Sequence, residues 1–189
     1  MLRRTFGVLT LAALAACGGA KPLTETQRAA IADSVNAVVQ GILADVNQRS
    51  SASFKDYSAD PDARFVENGV LYPSLEALRS SDSAAKTLVT ALNVRATKTN
   101  IVVLGPDAAV ATISTAFTAT GTNGREVSGD GVLTAVVAKR GAAWKVIASH
   151  ESEKDLAKIM AAFLAPAAKK AGAKAPARKP AAKKSTRRH

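Results

Sequence analysis

Four polar side chains could support acid–base chemistry in this sequence. Glu67 offers a carboxylate that could abstract a proton, and His150 offers an imidazole, the side chain best suited to proton exchange near neutral pH. Tyr57 and Tyr72 could donate hydrogen bonds to an oxyanion that develops in such a reaction. Together these groups would suit an isomerisation that begins with proton abstraction next to a carbonyl. No motif in the sequence fixes a catalytic role for any of them.

The same residues also have a simpler, structural interpretation. The chain contains one Trp, two Tyr and five Phe, which is too few for a rich aromatic cage. The aromatic candidates for a pocket are equally the expected aromatic part of a small core: Tyr57, Phe65, Tyr72, Phe117 and Trp144. His150 then becomes a structural histidine at a strand end, and Glu67 a solvated or turn-stabilising carboxylate. Both interpretations stay open.

Metal and cofactor sites are not expected from the spacing of the residues that would form them. The two histidines, His150 and His189, are far apart, and Cys17 is the single cysteine. No phosphate-binding loop, dinucleotide fingerprint or nucleophile elbow is present. We therefore expect neither a metal nor a cofactor, and the case for an enzyme weakens.

A long amphipathic helix is predicted at the start of the folded part. Thr24-Glu25-Thr26-Gln27 has the form of a capping box, a signal for a helix N-terminus. Apolar residues then recur at spacings of three and four: Ile31, Val35, Val38, Ile42 and Val46. This period predicts a helix over about residues 24–48 with one apolar face.

The segment that follows is less regular. A turn is indicated at Asp60-Pro61, and Arg64-Phe65-Val66-Glu67 is a candidate for a short strand. Four leucines between residues 74 and 92 suggest one or two further helical pieces, with a break at Ser81-Asp82-Ser83 left open. These leucines are Leu75, Leu78, Leu88 and Leu92.

From Asn93 onward the pattern changes to β structure. Turn signals at residues 105–107, at Asn123-Gly124 and at Gly141 divide the region into four strands of about 12 to 15 residues. Strands this long must twist and curl, and they need their concave face covered. We therefore predict an α+β cone over residues 24–164, in which N-terminal helices pack on a strongly curved, antiparallel, four-stranded meander. A short helix from Glu153 to Leu164 closes it.

Alternation along the last strand predicts which side chains face inward. One face carries Trp144, Val146, Ala148, His150 and Ser152, and the other carries Lys145, Ile147, Ser149 and Glu151. Since Trp and Val favour burial, the first set is expected to face the core. By this reasoning His150 reaches the pocket or its rim.

Several stretches in this region resemble the nuclear-transport-factor-2-like superfamily, and in particular its SnoaL-like branch. They are the strand and turn Phe65–Gly69, the segment Val103–Val110, the hairpin glycine Gly124, the strand Lys139–Ile147 and the terminal His-x-Ser of Ser149–Ser152. The resemblance implies a conical pocket between helices and sheet. Some members of the family are isomerases, cyclases or dehydratases, and many others only bind or dimerise, so fold alone does not decide the function.

Residues 1–16 have the features of an export signal. Arg3 and Arg4 precede an apolar run from Phe6 to Ala16, which as a helix spans about 16 Å and is too short for a bilayer core of about 30 Å. The run ends in Leu14-Ala15-Ala16-Cys17, which resembles the lipobox of bacterial lipoproteins. That resemblance implies cleavage before Cys17, lipidation of its sulfur, and a linker over residues 17–23. The alternative is a soluble secreted protein that keeps a free thiol.

The net charge of +11 does not belong to the folded part. Of the 26 Lys and Arg residues, two precede residue 21 and nine lie in residues 165–189, so 15 remain to balance the 15 carboxylates between them. This distribution excludes a basic globular nucleic-acid-binding domain. Residues 165–189 contain nine Ala, three Pro and nine Lys or Arg, a composition that predicts a disordered basic tail.

The sequence therefore predicts a lipoprotein of the bacterial cell envelope, anchored to the membrane outside the cytoplasm. Its cone domain is expected to act without catalysis, as a small-ligand-binding module or as a homodimer formed through the sheet. The tail could contact anionic lipid or wall polymer, and no nucleic-acid partner is expected. The alternative is a small-molecule enzyme of the isomerase, cyclase or dehydratase type that uses Glu67 or His150.

Replacing the single cysteine tests the predicted anchor. We expect Cys17→Ala to abolish the incorporation of radiolabelled palmitate in bacterial cells, because the thioether that starts lipidation needs the sulfur. A Lys21→Ala variant, changed just beyond the cleavage site, should still be labelled. Palmitate labelling that persists in Cys17→Ala would exclude the predicted anchor.

Overall fold

The computed structural model describes residues 21–50 and 54–167 of the chain. The signal segment, including Leu14, Ala15, Ala16 and Cys17, and the basic tail from residue 168 onward lie outside the described residues. The described residues are therefore those of the predicted cone domain, and the predictions made for the two ends of the chain stay predictions.

Three helices and six strands make up the described part. They follow in the order α1 Glu25–Asn47, β1 Arg64–Glu67, β2 Val70–Tyr72, α2 Leu75–Lys86, β3 Val89–Gly105, β4 Ala108–Gly121, β5 Glu126–Arg140, β6 Ala143–Glu153 and α3 Leu156–Leu164. The helix-then-sheet order agrees with the predicted α+β class, and the three meander turns occur where they were predicted.

The sheet is larger than the predicted four-stranded meander. Its strand order is β2-β1-β6-β5-β4-β3, so β1 and β2 add two strands beside β6. β1 runs parallel to β6, which makes the sheet mixed rather than purely antiparallel. A turn at Asn68-Gly69, with φ of 50° and 84°, joins β1 to β2. Sequence analysis missed β2 because three residues carry too little periodicity to register.

Helix α1 begins and packs as its sequence predicts. The Thr24 and Gln27 side chains form the reciprocal capping box at its N-terminus. Val35, Val39 and Ile42 are buried on the sheet within the hydrophobic core. By length and composition α1 is the one helix in residues 21–50 and 54–167 that could cross a membrane, but in this fold it is the helix that covers the sheet.

A side-chain amide fixes the end of α1 on the edge strand. Asn47 Nδ2 donates to the Val94 carbonyl at 2.8 Å, and the Val94 amide donates to Asn47 Oδ1 at 2.6 Å. The side chain therefore substitutes for a neighbouring strand at one position of β3. At the other end of α1, Arg28 donates to the Val103 carbonyl. These contacts hold α1 along the whole length of β3.

Helix α2 corrects the predicted boundaries of the middle segment. It runs without a break through Ser81-Asp82-Ser83, where an ion pair joins Asp82 to Lys86 one turn later at 2.6 Å. Leu75 and Leu78 are buried as the helical pattern requires. Leu88 lies in the turn after α2 and Leu92 lies in β3, because α2 ends at Lys86 and β3 begins at Val89. The leucine spacing alone did not mark this boundary.

The β4–β5 hairpin holds the closing helix α3. The Asn123 side-chain amide donates to the carbonyls of Ala162, Phe163 and Ala165, which are groups that a helix end leaves unpaired. α3 starts at Leu156 rather than at the predicted Glu153, since β6 continues through Glu153.

Gly129 marks a close approach that the curled sheet requires. A Cβ at this position would lie 2.7 Å from Phe117 Cζ and 3.3 Å from Ile159 Cδ1. The aromatic ring therefore occupies the space that a side chain on β5 would need, as expected for a glycine within a strand.

We expect Gly129→Ala to lower the free energy of unfolding by about 1–3 kcal/mol, because the added methyl overpacks the contact with Phe117. Urea denaturation monitored by circular dichroism measures this. Gly105→Ala is the matched control, since a Cβ there meets nothing within 4 Å. Equal stability of the two variants would contradict the close packing at Gly129.

Candidate functional site

An irregularity in β6 decides which of its side chains face the core. Val146 pairs with Val137 of β5, but Ala148 pairs with Val136, so Ile147 has no partner in the ladder. Partners across a ladder share one face, and Val137 and Val146 are both fully buried. The extra residue therefore shifts the alternation by one, as a β-bulge does. From Ser149 onward the odd-numbered residues face the core.

This shift corrects the predicted position of His150. It pairs with Thr134 on the outer face and is exposed, so it reaches neither the core nor its rim. Ala148 and Ser152 move to the outer face with it. The prediction was wrong because it applied strict alternation across residue 147. Beyond the bulge, the face reached by Ser149 and Glu151 is the one that also carries buried Phe65 of β1.

Three glutamates lie together at the same end of this inner face. Glu67 of β1 pairs directly with Glu151 of β6, and Glu153 follows two residues later on the same side. Asn68 holds this end of the strands together. Its backbone amide donates to the Glu151 carbonyl at 2.8 Å, and its side-chain Oδ1 accepts from the Glu153 backbone amide at 2.9 Å. Glu151 was not a predicted site residue, and correct assignment of the bulge would have been needed to find it.

Burial and mutual repulsion change the proton affinity of two of these carboxyls. Burial, followed by the negative charges of Glu153 and Glu67, raises the pKa of Glu151 to about 8. Burial, followed by the charges of Glu153 and Asp82, raises the pKa of Glu67 to about 7. Near neutral pH both groups can therefore gain or lose a proton. They have the acid–base property that a proton-transfer site needs.

Tyr57 is an aromatic residue whose phenol is affected by the charges of these glutamates. Burial, followed by the charges of Glu151 and Glu67, raises the pKa of the Tyr57 phenol, so its hydroxyl stays protonated. Its ring packs edge-on against Phe54, with centroids 5.2 Å apart, and in a tilted arrangement against Phe65 at 5.4 Å. Tyr57 therefore belongs to an aromatic cluster with Phe54 and Phe65. The negative charges of the glutamates help to keep its hydroxyl protonated.

Tyr72 of β2 is the ladder partner of Phe65 and so lies next to this group, whereas Phe117 and Trp144 do not join it. The Tyr72 hydroxyl is 2.8 Å from the Ser81 hydroxyl, which ties β2 to α2. Trp144 packs at the margin of the core cluster. Phe117 lies against Gly129 and the α3 side of the sheet. Tyr57, Phe65, Glu67 and Tyr72 are therefore neighbours, whereas Phe117, Trp144 and His150 lie elsewhere.

The interior of the cone is nearly filled. The cavity between α1 and the sheet has a volume of about 10 Å³, less than a water molecule needs in practice. Its lining is wholly apolar: Val39, Ile42, Leu43, Ile113, Leu133, Ala135, Val137 and Val146. None of the predicted pocket residues lines it. Within residues 21–50 and 54–167 no three His, Cys, Asp or Glu side chains are arranged to hold a metal ion, the three glutamates included.

Comparison with known proteins agrees on the fold. A family model described as a SnoaL-like domain matches residues 35–155. A search of curated proteins gave no significant match. A hexachlorocyclohexane dehydrochlorinase from Novosphingobium barchaimii LL02 superposes with a TM-score of 0.60 at 14% identity, over 69% of this chain and 91% of that one.

Two further solved structures have the same architecture. A nuclear transport factor 2-like superfamily protein from Salmonella enterica serovar Typhimurium LT2 gives a TM-score of 0.58 at 20% identity, over 69% of this chain and 92% of that one. A cystatin-like protein from Caulobacter vibrioides gives 0.56 at 17% identity, over 68% and 93%. At these identities the likeness concerns the fold, which is a helix-covered, curved, mixed sheet of the nuclear-transport-factor-2 type.

The raised pKa values make stability depend on pH with a defined sign. Between pH 4.5 and about 8 the folded protein retains protons on Glu67 and Glu151 that the unfolded chain has released. Their contribution to the free energy of unfolding is therefore full below about pH 4.5. It declines as the pH rises and is lost once the pH has passed the folded pKa values.

We expect Glu151→Gln to remove most of this decline, so that the loss of stability between about pH 5 and pH 8.5 shrinks by about 4 kcal/mol. Urea unfolding at each pH measures the difference. Glu126→Gln, at an exposed position on β5, should leave the pH dependence unchanged. A Glu151→Gln profile parallel to that of the parent protein would show that Glu151 ionises normally.

Proposed function

The chain belongs to the SnoaL-like domain family, and from this premise we propose that it is a non-catalytic envelope lipoprotein whose cone domain homodimerises through the outer face of its sheet. The observation that carries the proposal is an uncovered apolar row on that face. Val102, Val110, Val136 and Ala148 are consecutive ladder partners across β3, β4, β5 and β6. A continuous apolar row across four strands has no function in a monomer and fits a self-complementary interface.

Exposure of large side chains near this row supports the assignment. Val102 is 50% exposed on the outer face of the edge strand β3, and Leu104, the unpaired residue of an irregularity two positions later, is 62% exposed. Val132 and Leu71 are further exposed apolar residues on this face. Two copies that meet through this face would cover all of these side chains. A two-fold axis would bring the same residues together from both copies, as isologous interfaces require.

The filled cone favours a role without catalysis. A small-molecule site normally has a volume of about 300 Å³ or more, whereas the space under α1 measures about 10 Å³. The apolar contacts that fill it stabilise the fold and leave no room between α1 and the sheet for a substrate. The inner face therefore holds the domain together, and the outer face is the one available for a partner.

The ends of the chain complete the proposal. A lipid on Cys17 would anchor the domain to the membrane, and the basic residues beyond residue 165 would contact anionic lipid or wall polymer. Support comes from the lipobox sequence and from the separation of charge along the chain, since the folded part is neutral. The proposed dimer surface is formed entirely by described strands.

A charge placed on the proposed surface should dissociate the dimer. We expect the full chain, solubilised in detergent, to have twice the monomer mass of 19.5 kDa by light scattering corrected for bound detergent, and Val102→Glu to have the monomer mass. A buried, unpaired carboxylate costs several kcal/mol at an interface, enough to shift a micromolar dimer to monomer.

Val70→Glu is the matched control for this substitution. Val70 is 53% exposed and lies on the opposite edge strand, where it pairs with Glu67 and faces away from the outer surface. It receives the same change at the same exposure, so Val70→Glu should remain dimeric. A monomeric parent protein, or dissociation by both variants, would contradict the proposed interface.

Catalysis by proton abstraction is the second candidate, and one observation favours it. The pKa values of Glu67 and Glu151 are raised to about 7 and about 8, and the charges of both groups act on the Tyr57 phenol. A neighbour of the same fold is a dehydrochlorinase, whose reaction removes hydrogen chloride. If the domain used this chemistry, the parent protein would accelerate deuterium exchange into cyclic ketones or the release of chloride from alkyl chlorides. Both Glu67→Gln and Glu151→Gln would abolish that acceleration.

A further inference from the structure

The outer face of the sheet carries a polar cavity at the end opposite the apolar row. Its volume is about 360 Å³, within the range of small-molecule sites. Six of its lining residues come from three adjacent strands: Asn93, Arg95, Ala116, Thr118, Ser128 and Asp130. No residue of this set belongs to the glutamate group or to the proposed dimer row, so the cavity is a separate feature of the molecule.

The strand register arranges these side chains in two parallel rows. Arg95 pairs with Ala116, and Ala116 pairs with Asp130, so the first row places a cation and an anion on either side of a methyl group. Strands lie about 4.8 Å apart, which puts the Arg95 and Asp130 Cα atoms about 10 Å from each other. The second row, two residues farther along, consists of Asn93, Thr118 and Ser128. All of its side chains can donate and accept hydrogen bonds.

The two charged groups do not neutralise each other. Among residues 21–50 and 54–167 neither Arg95 nor Asp130 forms an ion pair or a side-chain hydrogen bond. The small Ala116 side chain between them leaves the space above the central strand open. The separated charges of Arg95 and Asp130 suit a ligand that carries both a negative and a positive group.

We propose that this cavity binds a free α-amino acid. The carboxylate of the ligand lies against the Arg95 guanidinium, which can donate two parallel hydrogen bonds to it. The α-ammonium group lies against Asp130, with the Ser128 and Thr118 hydroxyls as additional acceptors. The α-carbon sits over Ala116, and the ligand side chain points away from the sheet.

The charges of the cavity exclude the other simple classes of ligand. A phosphate or dicarboxylate would gain Arg95 but would be repelled by Asp130, and a polyamine would meet the reverse problem. A neutral sugar would leave both charges unsatisfied. A zwitterion is the ligand that satisfies the cation and the anion at once.

The proposed amino-acid site does not depend on the proposed dimer. Asp130 and Val136 are six residues apart on β5, which corresponds to about 20 Å along the strand. A partner seated on the apolar row would also cover Val132, two residues from Asp130, so the interface borders the polar cavity. A monomeric protein would still have the site, so the two proposals fail separately.

Calorimetric titration of the full chain in a non-ionic detergent with L-alanine tests the proposal. We expect saturable binding of alanine, and binding at least about tenfold weaker for N-acetylalanine, which lacks the ammonium, and for alaninamide, which lacks the carboxylate. Arg95→Gln and Asp130→Asn should each weaken alanine binding about tenfold or more. Both positions are exposed, so neither variant should affect folding.

Arg79→Gln is the matched control, since Arg79 is an exposed arginine on α2, outside the cavity. It should bind alanine like the parent protein. Absence of saturable alanine binding, equal binding of the blocked ligands, or unchanged binding by Arg95→Gln and Asp130→Asn would each overturn the assignment.

Discussion

One unpaired residue in β6 determines the character of both faces of the sheet. Ile147 interrupts the ladder between Val146 and Ala148, and every side chain after it changes face. The change directs Glu151 and Glu153 toward the core and His150 toward solvent. It occurs where the neighbour of β6 changes: Val146 bonds to the backbone of residues 56 and 58, and β1 begins its parallel pairing at Ala148. A local change of partner on one edge thus sets the chemistry of the whole strand.

The packing of α1 on the concave face of the sheet leaves the outer face as the one that is open to partners. Apolar packing by Val35, Val39 and Ile42 fills the concave side, and the two hydrogen bonds between Asn47 and Val94 fix the helix end on the edge strand. Because side chains fill the space under α1, the groups proposed to bind partners lie on the outer face. There the valine row and the polar cavity sit at opposite ends of the same strands, and each could serve its partner without the other.

Much of the fold could be predicted because it depends on local signals. The capping box at Thr24 and the turn at Asn123-Gly124 mark boundaries by chemistry that acts within a few residues. The site could be predicted only in part. Glu67 and Tyr57 were found as isolated candidates, but Glu151 was missed and His150 was misplaced, because a bulge leaves no mark in hydrophobic alternation. The short strand β2 was missed since it is held by pairing with β1 rather than by its own pattern.

The sequence by itself determined the class of the fold, the neutrality of the domain and the position of the charges at the ends of the chain. These properties follow from composition and from periods of two and 3.6 residues, which any window of the chain contains. Only the tertiary structure decided which polar groups meet. The Glu67–Glu151 pair joins strands 84 positions apart by parallel pairing, and Arg95 faces Asp130 across an intervening strand. Strand register and bulges determine which side chains become neighbours. Both depend on the packing of the whole sheet rather than on any one segment.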